Sequence, residues 1–172
     1  MWERAPAIAR RLMPNAPFTI HERVRWSDCD PMGIIRFDAY TRFFELGEWE
    51  MFRSIGVGLS SFGGRFGISL PRRVMHMEYP SPPRLDELLE LAVYVSDVGT
   101  TSLRINFDAY GDGGLLRMEG YLVLVCVYDG ADRGDTIRAL PLPEAFVSAL
   151  APFRLSIAEA RASRAARAEE PR

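Results

Sequence analysis

Hydrophobic positions recur along this chain first with the period of a strand and then with that of a helix. Phe18, Ile20, Val24 and Trp26 share one face of the run 18–26, which only Glu22 interrupts, and this predicts a strand with one side against a core. Tyr40, Phe43, Phe44, Gly47, Met51 and Ile55 then follow helical spacing, and Gly56 stands where a left-handed residue would close the helix. Val57 to Gly67, with four glycines and two serines, predicts a connector or short cap. Strands follow: 67–79 with Pro71 at a bulge or edge, then Leu89, Leu91, Val93 and Val95 in clean alternation, then Thr101, Leu103, Ile105, Phe107 and Ala109. Asp112-Gly113-Gly114 predicts a tight hairpin. It leads into Leu115 to Tyr128, apolar almost throughout, as for a strand covered on both faces or at a sheet centre. Pro143 to Phe153 suggests a further helix.

The order is strand, long helix, then four strands joined mainly by short turns. An antiparallel sheet of this kind must bury one face, and the aromatic-rich helix can cover it. The pattern predicts an α+β fold. At 172 residues, with 48% hydrophobic and 26% charged positions, the chain suits one domain over 18–153. Residues 1–17 form an aperiodic N-terminal arm, and 154–172 an Arg/Ala/Glu tail, expected as mobile arms or at most a short helix.

A net charge of −2 argues against a nucleic-acid partner. Every basic residue except the two histidines is arginine, which removes lysine chemistry. Cys29 and Cys126 make no disulfide framework. The N-terminus does not resemble a secretory leader, and no window reaches a membrane span of roughly 18 apolar residues. A cytoplasmic protein without membrane association is expected.

The chemistry concentrates between strand and helix, in Trp26-Ser27-Asp28-Cys29-Asp30-Pro31-Met32-Gly33-Ile34-Ile35. Two carboxylates lie in a Pro/Gly turn just ahead of a helix N-terminus, where unpaired N–H groups and the helix dipole stabilise developing negative charge. The same Asp-x-Asp-Pro pattern also suits plain turn chemistry, because Asp side chains bond nearby amides. Asp28 reads as such a structural acceptor. Cys29, between two acids, is a poor thiolate. His21 and His76 lack metal-ligand spacing, so no metal or other cofactor is expected. No Gly-x-Ser-x-Gly elbow, Walker loop or dinucleotide glycine pattern is present.

The string Asp28-Cys29-Asp30-Pro31-Met32-Gly33-Ile34-Ile35, with Tyr40 and Glu45 after it, resembles the signature of hotdog-fold acyl-CoA thioesterases of the 4-hydroxybenzoyl-CoA thioesterase type. Weaker likeness continues through Tyr79-Pro80, Asp86-Glu87-Leu88, Gly99-Thr100-Thr101-Ser102 and Leu140-Pro141-Leu142-Pro143, over roughly 18–150. The resemblance implies a hotdog fold, a long central helix wrapped by a five-stranded antiparallel sheet. It makes Asp30 the catalytic carboxylate and assigns Phe37 a backbone N–H that polarises the thioester carbonyl. Phe occupies a position usually held by tyrosine or another aromatic, and Asp38 one where relatives often carry proline or asparagine. Pro31, Gly33, Tyr40 and Glu45 would line the substrate site. A homodimer or homotetramer with sites at the subunit interface is also implied.

Thioester hydrolysis needs little machinery. A thiolate leaves readily, its conjugate acid having a pKa near ~8.5 by analogy with cysteine, so one carboxylate and one oxyanion donor can suffice. Whether Asp30 acts as base or nucleophile stays open. Glu45 and Glu48 on the helix are rivals to Asp30, with Glu48 expected as solvated surface. Arg72, Arg73, Arg104 and Arg138 are candidates for coenzyme A phosphates. An acyl-carrier-protein thioesterase and a non-catalytic hotdog acyl-binding protein are the alternatives.

Overall fold

A computed structural model describes residues 15–58, 62–128 and 138–169. All but the last three residues of the expected N-terminal arm lie outside the described residues. The elements run β1 (Phe18–Arg23), α1 (Tyr40–Ser54), α2 (Phe62–Phe66), β2 (Ile68–Ser69), β3 (Arg72–Glu78), β4 (Leu88–Val98), β5 (Ser102–Tyr110), β6 (Leu116–Val125), β7 (Val127–Tyr128), α3 (Glu144–Ala149) and α4 (Ile157–Glu169). Five strands form one antiparallel sheet in the order β1-β4-β5-β6-β3, and β2 pairs with β7 separately.

The sheet wraps α1 as the hotdog expectation requires. Leu89, Leu91, Val93, Val95, Leu103, Ile105, Phe107, Leu122 and Leu124 point inward and join Phe43, Phe44, Met51 and Phe52 of α1 in one core. The helix lies chiefly across β1, β4 and β5. Gly47 permits the closest approach, since a Cβ there would come within 2.8 Å of Val93. Phe44 stacks on Phe107 with centroids 4.4 Å apart. At the far end Gly56, φ +76°, and Val57 donate to the carbonyls of Arg53 and Phe52, a Schellman closure with glycine in its left-handed place.

Three local expectations shift. Strand β1 ends at Arg23, not Trp26, because Trp26–Asp28 turn into a 3-10 helix, capped by Arg25, whose backbone N–H donates to the Asp28 carboxylate at 2.8 Å. Trp26 is consequently 82% exposed. The apolar run 115–128 breaks into β6 and β7 at Cys126, and β6 is neither central nor covered on both faces. The C-terminal tail is more tightly held than an arm: α4 packs Ala160 against Tyr94 on the sheet face opposite α1. There Arg161 pairs with Asp108 and Glu119, while Arg164 reaches Glu90 and lies over the Tyr110 ring.

Candidate active site

The loop from Asp28 to Arg36 folds as a tight hairpin. Cys29 bridges Ile35, Arg36 N–H donates to the Asp28 carbonyl at 2.8 Å, and Asp30 N–H to that of Ile34 at 2.9 Å. Gly33 turns the chain at φ +76°, with open space around its Cα, so backbone conformation rather than crowding demands glycine. A second loop pins this hairpin: Ile35 N–H donates to Pro83 O and Leu85 N–H to Gly33 O, both at 3.2 Å. That loop is braced by the buried Glu87 carboxylate, which accepts Arg117 Nε at 2.7 Å and the amides of Arg84 and Asp112.

The two loop carboxylates meet different fates. Asp28 is buried and takes Arg42 in a forked pair, Nε to Oδ1 at 3.0 Å and Nη2 to Oδ2 at 2.5 Å. Arg42 also donates to Glu22, which pairs with Arg25 as well. Both Asp28 oxygens are engaged, Oδ2 also by the Arg25 amide, as its sequence reading as a structural acceptor expects. Asp30 is half-buried and accepts Met32 N–H at 2.8 Å and Ile34 N–H at 3.4 Å, both on Oδ1. Among the described residues Oδ2 has no donor. The carboxylate is therefore oriented through one oxygen and open at the other.

Phe37 lies in the turn three residues ahead of α1 and is 82% exposed. Its backbone N–H finds no acceptor among the described residues. Beside it Arg36 bonds Asp38 through Nε at 3.0 Å and holds that carboxyl below its ordinary range. Pro31 is exposed. Tyr40 is buried, packs on Tyr79 with ring centroids 4.1 Å apart and planes tilted 35°, and has its hydroxyl pKa pushed up to about 12, mainly by burial. Burial first, then Asp28 and Asp30, raise the Cys29 thiol, which agrees with its exclusion as nucleophile.

On the helix the expected order of Glu45 and Glu48 is reversed. Glu45 is exposed, whereas Glu48 is 2% exposed and accepts Arg72 Nη2 at 2.5 Å. Burial raises the Glu48 pKa, opposed by Arg72. Arg72 is thus already engaged by a carboxylate. Arg104 lies on the sheet face away from α1, its guanidinium 3.4 Å above the Tyr121 ring and its buried Nε unpaired; the sheet separates it from Asp30. Arg73 and Arg138 are exposed. His21 and His76 sit beside Glu90 and Glu78, and no group of potential metal ligands forms among the described residues.

Residues 24–150 match the family model of the Thioesterase-like superfamily. The chain belongs to that superfamily. It is 28% identical over 105 residues to the acyl-CoA thioester hydrolase YbgC of Escherichia coli O6:H1, covering 61% of this chain and 78% of that protein. Among solved structures, 4-hydroxybenzoyl-CoA thioesterase from Pseudomonas sp. strain CBS-3 superposes with a TM-score of 0.68 at 20% identity, over 77% of this chain and 97% of the other. A 1,4-dihydroxy-2-naphthoyl-CoA thioesterase from Synechocystis does so with a TM-score of 0.68 at 15% identity, over 77% and 94%. These superpositions confirm the hotdog fold. The packing roles of Glu22, Arg42, Glu87 and Arg117 and the burial of Glu48 escaped the sequence reading, although Glu87 stood in the Asp86-Glu87-Leu88 string and Arg42 is a cation in the first turn of a helix that follows an Asp-x-Asp loop.

Proposed function

We propose that this protein hydrolyses acyl-CoA thioesters to the free acid and coenzyme A, with Asp30 and Phe37 as the reacting pair. One observation carries the reading: a single short loop in a thioesterase-superfamily chain presents an oriented carboxylate with one open oxygen and, in the turn just ahead of α1, an amide with no acceptor among the described residues. The Phe37 N–H would hold the developing oxyanion, where preorganised donors act most strongly. Asp30 Oδ2 would take a proton from the water that attacks the carbonyl, the thiolate then leaving the free acid behind, or would attack the carbonyl itself and expel the thiolate, forming a mixed anhydride that water then hydrolyses to the acid and free Asp30. Oδ1 stays anchored by the Met32 amide, so the carboxylate need not reorient.

Pro31 and Gly33 would shape the loop around the thioester, with Tyr40 beneath it and Glu45 at the rim. Two unpaired cysteines suit a reducing cytoplasm. A homodimer or homotetramer is supported by the exposed edge strand β3 and by the clustering of Trp26, Met32 and Phe37, each at least 80% exposed, in one loop. Sedimentation at micromolar concentration is expected to show no monomer.

The decisive experiment is a panel of acyl-CoA thioesters assayed by free-thiol release. Turnover inhibited by free coenzyme A supports the reading. Cleavage confined to acyl-carrier-protein thioesters moves the substrate class, and tight acyl-CoA binding without turnover makes the protein a binder instead of an enzyme.

A further inference from the structure

The turn that orients Asp30 is itself held from outside. Asp30 Oδ1 accepts the amides of Met32 and Ile34, and the residues beside those amides are pinned by the connection between β3 and β4: Ile35 N–H donates to Pro83 O and Leu85 N–H to Gly33 O. In the sheet order β1-β4-β5-β6-β3 that connection must pass the ends of β6 and β5 to reach β4. A loop that only had to span the distance could cross with its amides in water. Residues 81–87 instead bind the turn between β5 and β6 on one side and the Asp30 turn on the other.

Glu87 is the fastening. Its side chain is 5% exposed; Oε1 accepts Arg117 Nε at 2.7 Å and the Asp112 N–H at 3.2 Å, and Oε2 the Arg84 N–H at 3.1 Å. Arg117 Nη1 donates to Ser81 Oγ at 2.8 Å, so the cation holds the beginning of the loop while the carboxylate holds its end. Arg84, whose amide Oε2 takes, lies between Pro83 and Leu85 and bridges Ile34. Next to it Asp86 stands in the left-handed region at φ +68°, a cost for a residue with a Cβ. It is kept there by its N–H bond to Val24 O and by the bond that Val24 N–H returns to Glu87 O, both 2.9 Å. Gly111 makes the room. Its backbone, at φ −97°, asks for no glycine, yet a Cβ there would lie 1.9 Å from Glu87 Oε1 and 2.7 Å from Arg117 Nε.

We propose that Glu87 is a positioning residue for the reaction: through the Arg84 amide it sets where the loop meets the Asp30 turn, and so where the open oxygen of Asp30 stands relative to the Phe37 amide. The role rests on the thioesterase reading for the parts played by Asp30 and Phe37, and adds to them a residue that touches neither. A carboxylate fixes backbone amides more firmly than a neutral acceptor does. Alignment is where that firmness matters, because a misplacement of about 1 Å can cost ~10² in rate. Loss of the fastening therefore acts on kcat, whereas a thioether, which needs no aligned carboxylate, binds as before.

Two substitutions disturb the fastening by different means. Glu87→Gln keeps the volume and can keep the Arg117 and Asp112 bonds on its oxygen, but it turns an NH2 group toward the Arg84 amide. Gly111→Ala changes no polar group and crowds the Glu87 carboxylate. Each is made in the full-length wild type and in Asp30→Asn, and assayed well below its melting temperature. The readouts are hydrolysis of the acyl-CoA cleaved fastest in the panel and calorimetric binding of the matching S-alkyl-CoA thioether. In the wild-type background kcat is expected to fall about tenfold or more. Thioether affinity should hold within about twofold, and each substitution should cost less than about twofold in turnover once Asp30 is asparagine, because a misplaced carboxylate matters only while it is one. Any buried ion pair would lower the melting temperature when broken; only a positioning role gives this coupling to Asp30. Should Glu87→Gln not fold, Gly111→Ala carries the same test. Near-native kcat in the folded variants, or the same fractional loss with and without the Asp30 carboxylate, overturns the positioning role and leaves the thioesterase reading intact. No thioester cleaved, or Asp30→Asn as active as the wild type, removes that reading and the positioning role with it.

Discussion

The loop ahead of α1 and the flank of its middle turns both bring a carboxylate toward the inner side of the sheet, and they treat it in opposite ways. Asp30 is half-buried, held by backbone amides on one oxygen and open on the other. Glu48, little more than two helical turns past the helix start, is buried against an arginine. Neutral amide donors orient an acid without cancelling its charge, so basicity and nucleophilicity survive. A guanidinium partner neutralises it, so what remains is shape and hydrogen bonding. The difference leaves Asp30 open and Glu48 neutralised, and Asp28, forked onto Arg42, falls with Glu48.

The sharpest test of the contrast removes the open oxygen's charge. Asp30→Asn should lower turnover on a cleaved acyl-CoA by about 10² or more while the melting curve and ligand binding hold, since general-base catalysis is worth roughly 10²–10⁴. If a folded Asp30→Asn protein turned over at near-native rate, and substitution of Glu45 or Glu48 abolished activity, the roles assigned to the two regions would exchange.

The amide partner of Asp30 is probed next. Phe37→Pro deletes the proposed oxyanion donor and should cost ~10²–10³ in kcat, whereas Phe37→Ala keeps the N–H and most of the activity. Equal kcat in the two folded variants removes the amide from the mechanism. Asp28→Ala should instead act on folding. It leaves Arg42 with Glu22 alone and strands the Arg25 amide, and about 2–3 kcal/mol of stability should be lost in urea unfolding. A variant as stable as the wild type but inactive would place Asp28 in the chemistry.

The smallest effect concerns Glu48. Its pKa in the folded protein lies above the ordinary 4.5 because burial outweighs Arg72. The folded state therefore holds that proton more tightly than the unfolded chain, and this favourable contribution is complete below the unfolded value and lost as pH rises through the folded one. Glu48→Gln has no such proton, so its stability relative to the wild type should rise as pH goes from about 4 to 7, by less than any of the effects above. A difference flat across that range would mean that Arg72 fully compensates the burial.

Periodicity settled the main elements in advance because strand and helix are local: a face of alternating Leu and Val in 89–95 can be buried in only one way, and α1 closes at Gly56 for reasons within its own last turn. The Asp28–Gly33 string was legible for the same reason, its turn being formed by neighbouring amides. Residues brought together from afar were not legible. Glu45 and Glu48 lie on one side of α1 by sequence, and only the seating of the helix over β1, β4 and β5 decides that Glu48 is buried against Arg72 while Glu45 faces water. The Arg/Ala/Glu tail has too few large apolar residues to announce a packed helix. It is held as α4 because Asp108, Glu119 and Glu90 happen to line the outer face in register with Arg161 and Arg164. Local sequence fixes conformation through sterics and short hydrogen bonds, whereas charge burial depends on which surfaces the completed fold lays together, and that was decided only in three dimensions.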